Sequence, residues 1–160
     1  MDSSEYFEKY LNLAYRYLTI RNRSEKEIRD YLTKKNAASE ISEKIINSLR
    51  EKKFLNDEAF ARAWVLNRAR LNPKGETFLK FELRQKGITD EIIQKVLKEI
   101  HEEIPDELEQ AKSLIVKRIE RLSGASRDEL YQKVGGFLAR RGFRWEIVKK
   151  AIDDSLADRV

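Results

Sequence analysis

Three stretches of this chain are versions of one another: DYLTKKNAASEISEKII at 30–46, FELRQKGITDEIIQKVL at 81–97 and FLARRGFRWEIVKKAI at 137–152. A gapless alignment on Leu32, Leu83 and Leu138 brings the cations Lys35, Lys86 and Arg141 to one position. The next position holds Asn36, Gly87 and Gly142, the residue types that best tolerate a left-handed backbone at a helix end. Further on, Ile41, Ile92 and Ile147 coincide, then the pairs Ile45/Ile46, Val96/Leu97 and Ala151/Ile152. Each copy reads as helix, tight stop, second amphipathic helix. Turn chemistry and hydrophobic pattern agree, which marks a repeat architecture. A unit of about 50 residues buries little apolar surface alone, so neighbouring units are expected to pack on each other.

The flanking residues complete each copy to three helices. Tyr10, Leu11, Ala14, Tyr15 and Leu18 share one helical face ahead of the first copy. Ser24–Glu27 fits a capping box that opens the second helix, and Ser126 with Glu129 fits another. Asn56 or Asp57 is placed to cap the helix that carries Phe60, Ala61, Trp64 and Val65. NPKGE at 72–76 breaks that helix, and Thr89 is a fair cap for the next. Period-two alternation appears nowhere over a useful length. The expectation is an all-α fold of three tandem three-helix repeats, 1–54, 55–103 and 104–160, in an elongated, curved array. Gly135 and Gly136 fall inside a predicted helix, where each costs about 1 kcal/mol relative to alanine. They allow either close approach of another backbone or ordinary packing within the protein.

Charge is distributed in blocks. Residues 62–86 carry Arg62, Arg68, Arg70, Lys74, Lys80, Arg84 and Lys86 against Glu76 and Glu82. Residues 133–150 carry Lys133, Arg140, Arg141, Arg144, Lys149 and Lys150 against Glu146, whereas HEEIPDELEQ at 101–110 has five carboxylates and no Lys or Arg. Basic helices separated by an acidic joint suggest a polyanion or an acidic protein surface as partner. The competing reading is a solvated charged face, and a helix-end role for Lys35, Lys86 and Arg141. Trp64 reads as core, while Trp145 is open to either packing or base stacking.

Chemistry finds little support. One histidine and no cysteine cannot supply the usual zinc set, and no nucleotide-binding loop is written in the chain. No enzyme activity, metal or cofactor is expected. No apolar run is long enough for a membrane span, and the first residues lack the form of a signal peptide, so a cytoplasmic protein is expected.

RSEKEIRDYL, FLNDEAFARAWVLNRA, KGETFLKFELRQKGI and FLARRGF, in this order, resemble the RecX family of bacterial recombination regulators. The resemblance covers about residues 14–152. It implies tandem three-helix repeats and a negative regulator of the RecA recombinase, and a monomer is expected. Such a protein binds the groove of the RecA filament on single-stranded DNA and inhibits ATPase, strand exchange and co-protease activity. Some members of the family also bind DNA directly. Charge and helix position, rather than the resemblance, select the expected RecA- or DNA-binding residues: Arg62, Arg68, Arg70, Lys74, Lys80, Arg84, Lys86, Arg140, Arg141 and Arg144. The alternative is an autonomous basic helical DNA-binding protein.

Overall fold

A computed structural model describes residues 2–159, and among them are nine helices and no strand. The first copy contains α1 (Ser3–Ile20), α2 (Glu25–Lys34) and α3 (Ser39–Glu51). The second contains α4 (Asp57–Leu71), α5 (Glu76–Gln85) and α6 (Asp90–Ile100). The third contains α7 (Glu107–Arg121), α8 (Arg127–Arg140) and α9 (Trp145–Ala157). No helix among the described residues is long and apolar enough to cross a membrane.

The aligned turns share one geometry. Asn36, Gly87 and Gly142 take φ of 66, 77 and 85°. The N–H one residue later reaches back to the aligned leucine each time: Ala37 to the Leu32 carbonyl at 3.0 Å, Ile88 to Leu83 at 3.0 Å, Phe143 to Leu138 at 3.2 Å. This closure satisfies carbonyls that a helix end leaves without partners and turns the chain sharply into the next helix. Helix starts are equally local. Ser24 and Ser126 form the expected capping boxes, and Asp2 with Glu5 forms a third at the start of α1. The Asn56 side chain accepts from the Ala59 N–H at 3.0 Å, and Thr89 Oγ1 accepts from Ile92 at 3.4 Å.

Packing groups the chain into two compact units, and the middle copy contributes to both. One is Met1–Ala61 with Leu83–Ile93; the other is Arg62–Glu82 with Gln94–Val160. The first has its core in Tyr10, Leu11 and Ala14 of α1, Ile28 and Leu32 of α2, and Ile45, Ile46 and Leu49 of α3. The second is centred on Ala111, Ile115 and Ile119 of α7, Val134 and Leu138 of α8, and Val148, Ala151 and Ile152 of α9. The aligned Ile41, Ile92 and Ile147 are half-buried in all three copies.

Each unit contains the same kind of turn-to-turn junction. In the first, the fully buried Ser24 hydroxyl donates to the Lys86 carbonyl at 2.7 Å. In the second, the Gly75 N–H donates to the Arg141 carbonyl at 2.8 Å. A residue that opens one middle helix thus binds the end of the next middle helix, and glycine is what lets the chains approach. A Cβ on Gly87 would stand 2.5 Å from Lys26 Cβ. A Cβ on Gly142 would stand 2.7 Å from the Phe78 nitrogen, and one on Gly75 would enter the Gly142 backbone. The helix-interior pair is different. A Cβ on Gly135 would meet only side chains, the nearest at 3.5 Å, and one on Gly136 only the end of Arg140. Close approach to another backbone lies at Gly75 and Gly142, and Gly135–Gly136 takes the reading of ordinary packing.

Candidate polyanion interface

A cation serves a partner only to the extent that its own protein leaves it unmatched, so the pairing of each candidate decides its value. In the first unit both candidates are matched. Arg84 Nε donates to Asp90 at 2.7 Å, and Lys86 Nζ donates to Glu27 at 2.9 Å. Glu27 also accepts from Arg21 and from the Ser24 N–H at 3.1 Å. Burial pushes the Glu27 carboxyl up, but the hydrogen bonds from Arg21, Lys86 and Ser24 outweigh it and hold the group down at about 2. Lys86 is therefore built into the junction.

In the second unit four more candidates are spoken for. Arg62 pairs with Glu103 and stands 4.0 Å from Glu99. Lys80 pairs with Glu76 one helical turn back at 2.7 Å. Arg144 stands 3.7 Å from Glu107, which also caps α5 by accepting from the Glu76 N–H at 3.1 Å. Arg68 lies against Glu82, which takes the Trp64 indole N–H at 2.9 Å as well. Trp64 is half-buried and anchored by that bond.

Four candidates have no carboxylate partner among the described residues: Arg70, Lys74, Arg140 and Arg141. Arg70 and Arg140 are exposed. Lys74 and Arg141 are half-buried beside aromatic rings. Lys74 Nζ is 4.8 Å from the Phe78 ring centre. Arg141 donates to the Asn72 side chain and places its guanidinium 4.6 Å from the Phe137 ring centre. The Lys74 ammonium is held below its ordinary range, first by burial and then by the charges of Arg141 and Arg68. The fold thus brings Arg68, Lys74 and Arg141 together, with Glu82 bound to Arg68.

Three further residues extend this cluster: Lys133, counted in the basic block but not among the expected binding residues, and Arg118 and Arg121, which the sequence reading missed. Arg118 of α7 lies over the same Phe137 ring at 3.7 Å. Arg118 and Arg121 then line a groove of about 210 Å³ with Lys133 of α8, over Leu122 and Val134. None of the three cations has a carboxylate partner among the described residues. A guanidinium stacked on a ring keeps its edge donors free for a planar or tetrahedral anion. Like charges held close repel, and a bound polyanion removes that repulsion. The signal available in the sequence was the KRIER run at 117–121, on the flank of the Ile115/Ile119 stripe.

Comparison with known proteins places these observations. Models of the RecX first, second and third three-helix domains match residues 11–49, 56–97 and 105–152. The chain is 36% identical over 148 residues to the "Regulatory protein RecX" of Bacillus pumilus, with 92% of this chain and 56% of that protein covered. It thus spans about half the length of that curated relative. The protein of the same name from Prosthecochloris aestuarii is 33% identical over 150 residues, covering 94% of this chain and 95% of its own length. The crystal structure of RecX from Lactobacillus salivarius superposes with a TM-score of 0.85 at 26% identity, covering 98% of this chain and 99% of that one.

Proposed function

The chain belongs to the RecX family of regulatory proteins, and on that premise we propose that it is a negative regulator of the RecA recombinase. It binds the RecA filament on single-stranded DNA, lies in the filament groove, and inhibits ATP hydrolysis, strand exchange and co-protease activity. The observation that carries the contact surface is the cationic band of the second unit: Lys74, Arg141, Arg118, Arg121 and Lys133, none of them in a salt bridge among the described residues, with the Glu82 charge felt at Lys74. Several weak contacts along tandem helical repeats add through multivalency.

The test is the single-stranded-DNA-dependent ATPase of the cognate RecA, titrated with this protein. Inhibition well below one molecule per RecA protomer is expected if growth or filament ends are the target. An unchanged ATPase across the titration sinks the reading. The pairing pattern adds a sharper expectation. Reversing Arg118 and Arg121 together to glutamate weakens filament binding by at least roughly tenfold, while Arg84→Ala changes it less than about twofold. Equal losses from both variants would show that the unmatched band is not the binding face.

The unmatched groove also favours a second reading, direct DNA binding without RecA. That reading requires tight, strongly salt-dependent binding to DNA by the protein alone, because phosphate contacts release counterions.

A further inference from the structure

The third copy departs from the other two at one place on its surface. The positions of Tyr131, Trp145 and Lys149 are occupied by Glu25, Ser39 and Glu43 in the first copy and by Glu76, Asp90 and Gln94 in the second. Two polar positions have thus become aromatic, and a third has become basic. The departure extends to the backbone. Relative to the aligned leucines, α8 begins a full turn earlier than α2 or α5, so Tyr131 lies inside its helix rather than at its first residue. That extra turn brings Arg127 and Asp128 alongside.

These changes build a shallow pocket of about 480 Å³, lined by Arg127, Asp128, Tyr131, Gln132, Trp145 and Lys149. Trp145 is 57% exposed. The edge of its ring passes over Gly135, with Cζ3 3.6 Å from where a Cβ would stand, and the indole lies along α8. The Tyr131 and Trp145 rings meet at 45° with centres 5.9 Å apart. Tyr131 is held in place by donating its hydroxyl to Asp153, which also accepts from Arg127 at 2.7 Å. The Tyr131 side of the aromatic wall is therefore held before any partner arrives. Lys149 lines the rim, and its charge acts on the Asp153 carboxylate that holds Tyr131.

We propose that the Trp145–Tyr131 pocket is a nucleobase-stacking site for single-stranded nucleic acid. Every base offers a face to an exposed indole, so such a site grips a strand without reading its sequence. The position along α8 supports a strand rather than a duplex. Tyr131 and Gln132 line this pocket, while Lys133 and Val134 line the cationic groove with Arg118 and Arg121. One helix thus separates an aromatic seat from a cationic one. A single strand can lay phosphates on the cations and turn a base toward the indole, whereas a duplex keeps its bases stacked inside. The site rests on the nucleic-acid part of the function proposed above and does not require RecA.

The experiment uses the full chain and intrinsic tryptophan fluorescence. Oligothymidylate is titrated against the wild type, in parallel with an abasic oligomer of equal length and a duplex. Oligothymidylate is expected to quench the emission, and the abasic oligomer, which offers phosphates without bases, is not. Trp145→Ala is expected to remove the quench and weaken oligothymidylate binding roughly five- to hundredfold, leaving abasic affinity unchanged. Equal quenching by the abasic oligomer overturns stacking, and equal quenching by the duplex overturns the single-strand assignment. These comparisons use wild-type protein, so they decide the matter even if the alanine variant does not fold. If Trp145→Ala keeps both oligonucleotide affinities but loses RecA inhibition, the pocket faces protein and the proposal falls. If RecA is unaffected by the wild type while Trp145→Ala loses oligothymidylate selectively, the stacking site stands and the regulator reading fails.

Discussion

Replacing Gly142 by alanine is expected to lower stability by roughly 3 kcal/mol, read from urea unfolding. Two costs combine. The residue sits at φ 85°, where an L side chain is strained. Its Cβ would also press on Phe78, 2.7 Å from the backbone nitrogen and 3.0 Å from Cα. Backbone cannot swing aside as a side-chain tip can, so the junction between Gly75 and Arg141 must open. Gly136→Ala is the matching control. It lies inside α8, where a Cβ meets only the mobile end of Arg140 at 3.2 Å. That change is expected to raise stability by about 0.5–1 kcal/mol, because alanine loses less backbone entropy in a helix. Equal effects from the two substitutions would show that the turn-to-turn junction contributes nothing.

The second large effect concerns Glu27. Its carboxylate binds Arg21, Lys86 and the Ser24 N–H, and is only 11% exposed. The group is held at about 2 rather than its ordinary 4.5, so the folded state favours the ionised form. That preference contributes about 3 kcal/mol, fully present above pH 5 and lost as pH falls through 4.5 toward 2. Glu27→Gln is expected to remove this contribution at pH 7. The gap between wild type and variant then narrows steadily on acidification, as the wild-type carboxylate takes up its proton. Urea unfolding at a series of pH values reads both. A gap that is independent of pH between 7 and 3 would rule out the carboxylate as its source.

Much of the fold was legible because its determinants are local. The left-handed turns at 36, 87 and 142, the capping boxes and the apolar faces each lie within a few residues of one another, and all stand where the pattern put them. The candidate site was less legible because pairing is not local. Lys86 meets a carboxylate 59 residues away and Arg62 one 41 residues away. Counting charge along a window sees neither. The same counting hid Arg118 and Arg121, whose helix also carries Glu107, Glu109 and Glu120 and so looks nearly balanced. The glycines show the same limit. Gly135 and Gly136 stood out by breaking helix propensity, whereas Gly75 serves a junction partner 67 residues on, the Gly142 backbone.

The shared middle copy has a consequence for synthesis. The ribosome delivers the chain in order, and segments fold once their partners have emerged. Release of the first three helices alone leaves the Ser24 hydroxyl, fully buried in the finished protein, without the Lys86 carbonyl it binds. The first unit closes only when Leu83–Ile93 has left the exit tunnel. By then Arg62–Glu82 has already emerged, yet its own partners in Gln94–Val160 have still to leave the tunnel. For that interval the nascent chain holds a finished unit with an unfinished loop hanging from it. A synonymous-codon pause placed a tunnel's length of chain beyond residue 93 would lengthen the interval, and one placed upstream of that point would leave both units open.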